Sequence, residues 1–263
     1  VGGSQQGRFR ADRRGARCGL YGVRRKVSVF VGYTLNDVKG SAVLFSEMTP
    51  PEGGEGTFND WYDGHHTPSH VEGVPGFLSA MRYKSPAGPH YLAVYELDGV
   101  ETLASEEYRS RKFTPDDVTR ETLSNVSGFT RYIGNEGNFA TRPNAPILPI
   151  DAPVLWCALF TVPMEVRAEF DQWFDNEHAE IVLECEDWLM ARRYDIVEWD
   201  PEPHTHLILH YMTDIKALES EALKRARATE WRRKLASQPW FEPTVVTYQR
   251  RKTRFLKTGP ASE

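Results

Sequence analysis

The chain has 263 residues, of which 40% are hydrophobic and 26% charged, with a net charge of −5. This is a globular composition with enough apolar surface for a core, and at roughly 100–200 residues per domain it makes one large fold or two compact units. No uncharged apolar run approaches the roughly 18 residues of a membrane-spanning helix, and the three cysteines (Cys18, Cys157, Cys185) form neither a disulfide framework nor a zinc pattern, so no membrane partner and a reducing, cytoplasmic setting are expected.

Residues 1–26 carry a charge of +7 and leave −12 for the remainder, a body that repels a phosphate backbone, so no nucleic-acid partner is expected. The basic head lacks any helical or strand period. An Arg-rich arm or a targeting presequence are the functional readings, but without an amphipathic helix the expectation is a loosely ordered, dispensable extension over residues 1–40. Alternating Val27, Val29 and Val31 suggest a short strand near its end.

A first unit is expected over residues 41–138. An apolar strand at Ala42 to Phe45 precedes a helix capped by Thr57, and Val74-Pro75-Gly76 breaks the chain before a strand from Phe77 to Tyr83. Tyr91 to Leu97 alternates as the next strand, helices follow at 101–112 and 116–124, and Phe129 to Ile133 closes the unit. Residues 139–152, with Pro143, Pro146 and Pro149, read as a linker.

The second unit, residues 153–251, repeats the first. Phe58, Trp61, Tyr62, Asp63 and His66 match Phe170, Trp173, Phe174, Asp175 and His178 at a constant offset of 112, the pattern F-x-x-W-[YF]-D-x-x-H. Leu78, Ala80, Arg82 and Tyr83 then match Leu189, Ala191, Arg193 and Tyr194 at an offset of 111. Strands are expected at 154–162, 188–197, 207–212 and 244–248, with a helix at 165–184 and one long helix from Lys216 to about Ser237; residues 252–263 read as a tail. Each unit is β-α-β-β-α-β, a ferredoxin-like arrangement of the α+β class. Such a unit leaves one sheet face bare, so two tandem units pack these faces together as a pseudo-twofold barrel, or each pairs with a second chain as a homodimer.

The motif F-x-x-W-[YF]-D-x-x-H, followed by Val74-Pro75-Gly76-Phe77 and a strand, resembles the dimeric α/β barrel superfamily, especially its EthD-like branch, over residues 41–251. The resemblance implies a small aromatic or hydrophobic substrate in a cavity between sheet and helices. It also implies chemistry ranging from cofactor-independent lyases, dehydratases, isomerases, cyclases and oxygenases to haem enzymes. The second unit departs from it at Leu183 to Asp187, where the loop geometry must differ.

On an ideal helix Phe58, Trp61, Tyr62 and His65 form one apolar stripe, and Asp63 lies one turn from His66. A carboxylate on one ring nitrogen leaves the other as an acceptor, which makes His66, oriented by Asp63, a candidate general base, with His178 and Asp175 as the counterpart. The same pairs also serve simply to lock a helix onto a sheet. Tyr62, Tyr83, Tyr95 and Tyr194 are candidate substrate contacts, because phenols on a cavity wall stabilise an oxyanion. The two motif tryptophans read as core, and Arg82 and Arg193 as solvated sheet positions. His204, His206 and His210 share one strand parity, but the first unit offers only His90 in the comparable region, so no metal is assigned. The basic residues between Lys224 and Lys234 read as a solvated helix face. The expected function is a cofactor-independent lyase, dehydratase, isomerase or cyclase working by His-mediated proton transfer on an aromatic or polyketide-like substrate. The alternatives are an oxygenase or haem peroxidase of the same superfamily and a non-catalytic ligand-binding protein.

Overall fold

A computed structural model describes residues 32–257, so the strand expected around Val27 to Val31 lies outside the described residues. A short helix α1 (Leu35–Val38) leads into β1 (Ala42–Thr49). The first motif helix runs as α2 (Glu55–Trp61), a π-helical turn at Tyr62–His66, and α3 (Thr67–Val71). It starts after Gly54 rather than at the Thr57 cap. Next come β2 (Phe77–Lys84), β3 (Tyr91–Leu97), α4 (Glu106–Phe113), α5 (Asp117–Ser124) and β4 (Ser127–Thr141).

The second half follows the same order with β5 (Val154–Phe160), α6 (Arg167–Trp173), a π-turn at Phe174–His178, α7 (Ala179–Val182), β6 (Trp188–Asp200) and β7 (His206–Met212). The single long helix expected from Lys216 is instead three pieces: a 3₁₀ turn at Ile215–Glu219, α8 (Glu221–Ala228) and α9 (Glu230–Ala236). Ser220 and Thr229 interrupt it, each accepting a backbone N–H of the helix that follows. β8 (Thr244–Arg250) completes the half, and β9 (Phe255–Leu256) follows it.

Within the first half the strands lie β4-β1-β3-β2 and within the second β8-β5-β7-β6, the ferredoxin-like order twice over, all antiparallel. The halves join edge to edge, β4 on β6 and β2 on β8, and the eight strands close on themselves. Both bare sheet faces are thereby buried within one chain, which removes the need for a second copy to cover them. The two seams are unequal. β4 pairs with β6 from Arg131↔Asp200 to Thr141↔Met190, whereas β2 meets β8 only at Tyr83↔Arg250 and Lys84↔Gln249 and then takes β9 at Ser79↔Leu256 and Ala80↔Phe255.

The ends of the units are more ordered than their composition suggests. β4 continues to Thr141, into the segment read as linker, because β6 offers it a paired edge. Val38 is buried although it falls in the expected loose extension, and Arg254, in the expected tail, donates to Asp151, Ser79 and the Ile150 carbonyl. At the VPG break Gly76 has φ of +88°, and a Cβ there would meet the Thr102 side chain at 2.3 Å. The second half makes this turn with Asp187, which accepts from Thr213, so the loop differs as the sequence departure implied.

Alternation assigns the faces. Val43, Phe45, Met81, Tyr83, Leu92, Val94, Leu155, Cys157, Tyr194, Leu209, Tyr211 and Tyr248 fill the barrel. The opposite faces carry Leu44, Ala80, Tyr91, Ala93 and Tyr95 against the helices of the first half, and Ala158, Phe160 and Ile208 against those of the second.

Candidate active site

Each half holds a cavity between the outer face of its sheet and its helices. The first, about 130 Å³, is lined by Ser46, Tyr62, His66, His70, Tyr95, Tyr108, Arg111 and Arg131 among others. The second, about 150 Å³, is more apolar, with Trp156, Phe160, Trp173, Phe174, Phe241, His178 and His210 on its walls. A cavity of roughly 150 Å³ holds one benzene ring.

The π-turns decide which residues of the motif reach these cavities. A π-turn bonds i to i+5 instead of i+4, so the nearest preceding ring to each histidine is that of the tryptophan five positions before it. Trp61 and His66 have ring centroids 4.5 Å apart, and Trp173 and His178 5.0 Å. The extra residue turns the aspartates away. Asp63 binds Arg82 and Lys252, the latter at 2.7 Å, and Asp175 accepts from Arg193 at 3.0 and 3.2 Å. Neither Asp63 nor Asp175 orients its histidine, and both expected Asp–His pairs are corrected to Asp–Arg clamps between helix and sheet. Arg82 and Arg193 are correspondingly buried rather than solvated, and Arg82 lies 4.0 Å over the Tyr62 ring. Burial opposes ionisation of Asp63, but hydrogen bonds from Lys252 and Arg82 outweigh it and hold the carboxyl below the usual range. His65, placed on the apolar stripe by ideal spacing, is exposed and pairs with Asp116 at 2.9 Å.

Of the candidate tyrosines, Tyr62 and Tyr95 line the first cavity, while Tyr83 and Tyr194 point into the barrel and touch neither. A bulge between Phe77 and Ser79 shifts parity at the start of β2, so Phe77 joins the helix layer and Tyr83 the barrel. The Tyr95 hydroxyl lies near Tyr62 and Thr67 without a well-formed hydrogen bond, and burial raises its pKa well above 10.0.

Two histidines outside the expected set complete the sites. In the first cavity His70 donates from Nδ1 to the His66 carbonyl at 2.9 Å, which leaves Nε2 as its acceptor, and its ring lies 4.4 Å from that of His66. The spacing H-x-x-x-H was the available signal. In the second, Trp188 donates to His210 Nδ1 at 3.1 Å, so the neutral ring carries its proton on Nε2. His178 stands 5.5 Å from His210, and its Nδ1 is buried without a hydrogen-bond partner. Burial, reinforced by Arg232 and Arg227, pushes the His178 pKa down to about 3. Burial and then His178 push His210 well below 6.5, and burial with His70 does the same to His66. Burial also brings His70 to about 4 against the opposing effect of its hydrogen bond.

These shifts make a stability prediction. Four imidazoles have folded pKa values below the unfolded 6.5, so between pH 6.5 and about 4 the unfolded chain takes up protons that the folded chain excludes. Stability is therefore expected to fall as the pH drops through this window, and the urea midpoint to be lower at about pH 5 than at about pH 7.5. Equal midpoints would contradict burial of neutral rings.

His206 and His210 share a strand face as their parity implied, while His204 precedes the strand beside Thr161. His206 lies with Asp171 and Asp195, their ligand atoms within 4.8 Å of one another. Arg193 Nη1 already forms ion pairs with both carboxylates, 2.9 Å from Asp171 and donating to Asp195 at 3.0 Å, and supplies the positive charge a cation would bring. A haem does not fit the second cavity, which at about 150 Å³ is well below the roughly 300–1,000 Å³ of an ordinary small-molecule site.

No protein-family profile matches the chain, and no curated protein matches it. Solved structures do. An anthrone oxidase-like protein aligns with a TM-score of 0.59 at 12% identity, covering 82% of this chain and 92% of that one. A monooxygenase-like protein from Lactobacillus acidophilus NCFM aligns at 0.52 and 10% identity, over 82% and 97% of the two chains. One from Fusobacterium nucleatum subsp. nucleatum ATCC 25586 gives 0.51 and 11%, over 84% and 97%. At such identities the likeness is one of fold, and the fold is that of the dimeric α+β barrel proteins.

Proposed function

We propose that the second cavity is an active site in which an enolisable or phenolic aromatic ring is deprotonated by His178 and oxygenated by molecular oxygen without a cofactor. The observation that carries this reading is a pair of neutral imidazoles with complementary roles on one aromatic wall. Trp188 commits the His210 proton to Nε2, a donor for a developing phenolate or peroxide oxygen, while His178 has no protein group on its ring nitrogens among the described residues and is free to accept the substrate proton. With a phenol the reaction balances as phenol plus O₂ to quinone plus water. The ring loses a C–H and the O–H, one oxygen atom joins the ring carbon, the other leaves as water, and the substrate supplies the electrons. The fold likeness to anthrone oxidase-like and monooxygenase-like proteins favours this chemistry over a lyase reaction.

The second reading is proton transfer without oxygen, of lyase, dehydratase, isomerase or cyclase type, in the first cavity. It is favoured by His70, which keeps Nε2 as an acceptor and lines the same cavity as Tyr95 and Tyr108. The shared motif and strand order support descent of both halves from one EthD-like unit. Oxygen uptake and product mass with a panel of phenols and hydroxyaromatic ketones separate these readings. His66→Ala is expected to retain oxygen uptake and His178→Ala to lose it by roughly 100-fold. Turnover without oxygen uptake that disappears in His70→Ala selects the second reading, and saturable binding with no turnover makes the chain a ligand-binding protein.

A further inference from the structure

Helices α8 and α9 carry six basic side chains, and four of them have protein partners. Lys224 pairs with Glu221 at 2.6 Å, Arg225 with Glu184, Lys234 with Glu169 at 2.6 Å, and Arg233 donates to the Thr229 carbonyl at 3.4 Å. The other two, Arg227 and Arg232, line the second cavity, and neither guanidinium has a carboxylate or carbonyl partner among the described residues. Arg232 is half-buried, and its guanidinium lies 4.9 Å over the ring of Phe241, which is itself a wall of the cavity. Burial and the charge of Arg227 lower the Arg232 pKa. Two like charges beside an apolar cavity, with no counter-ion on the protein, lose their mutual repulsion when an anion binds between them. The planar guanidinium fork matches a carboxylate.

We propose that the substrate is an aromatic carboxylate, its ring in the second cavity and its carboxylate held by Arg227 and Arg232. This rests on the second cavity being the working site, as proposed above. The cavity volume of about 150 Å³ accommodates one ring and leaves a substituent outside it. Burial is the main cause of the low basicity of His178 and both arginines add to it, so a carboxylate that neutralises them removes the arginines' part of that effect when it is bound.

The test is a binding titration of the full chain, followed by the fluorescence of Trp156 and Trp173 in the cavity wall, with benzoate and its uncharged isostere benzamide as probes. Wild type is expected to favour benzoate by roughly tenfold or more. Arg227→Gln/Arg232→Gln is expected to lose that preference while still binding benzamide, and Lys224→Gln/Arg225→Gln, on the same helix with partners of their own, to keep it. Equal affinities in wild type, no binding of either probe, or a preference that survives in Arg227→Gln/Arg232→Gln would overturn the proposal. Binding is read without turnover, so a benzoate preference that holds while no phenol consumes oxygen sinks the reaction proposed above and leaves the ligand class standing.

Discussion

Arg192→Ala is expected to lower stability by about 3–5 kcal/mol, the cost of leaving a buried charge without its partner. Arg192 and Glu96 are both 0% exposed inside the barrel, joined by two hydrogen bonds of 2.7 and 3.0 Å. Arg192 also donates to Glu136 at 2.7 Å, and Glu96 accepts from the Gly40 backbone N–H at 2.9 Å. Removal of the guanidinium therefore strands one fully buried carboxylate and loosens a second. The pair spans the two halves, Glu96 on β3 and Arg192 on β6, so the loss falls on their association. Urea unfolding checks this against Arg192→Met/Glu96→Leu, which removes both charges and is expected to recover most of the loss. An Arg192→Ala variant as stable as wild type would contradict the network.

The second large effect separates the expected role of Asp63 from its observed one. If Asp63 oriented His66, Asp63→Ala would cost turnover in a well-folded protein. The structure assigns it to Arg82 and Lys252, and with the Asp63 side chain 17% exposed and Arg82 only 6% the loss is expected as stability, about 3 kcal/mol, at the lower end for a broken buried pair. Asp175→Ala is expected to cost less, because Arg193 keeps Asp171 and Asp195. Denaturant titration of both variants, with activity measured on the folded fraction, decides between the roles.

Much of the architecture was legible because the offset of 112 repeats an entire structural unit, and one bare sheet face per unit requires another to cover it. Strand positions followed from alternation, and Tyr91–Leu97 was found without error. The site was legible only in part. His66 and His178 do line the two cavities, as do Tyr62 and Tyr95. The aspartates were misassigned because spacing rules assume 3.6 residues per turn, and a π-turn leaves no mark in composition. Tyr83 and Tyr194 were misassigned because strand parity alone does not tell the barrel side from the helix side. His210, Arg227 and Arg232 are distant in sequence from the motif, and only the packing of β7, α8 and α9 around it brings them to His178.

The unequal seams bear on how the chain avoids sticking to its copies. A strand edge with unpaired N–H and C=O groups is a template for another chain. The long β4–β6 seam closes one such edge by itself, but beyond its two residue pairs with β8, β2 would present bare backbone. β9 takes up that stretch, with Arg254 anchoring it to Asp151. Residues 251–257 thus serve as a cover strip: a chain shortened before them keeps both cavities' histidines but offers β2 as a growth point for intermolecular sheet.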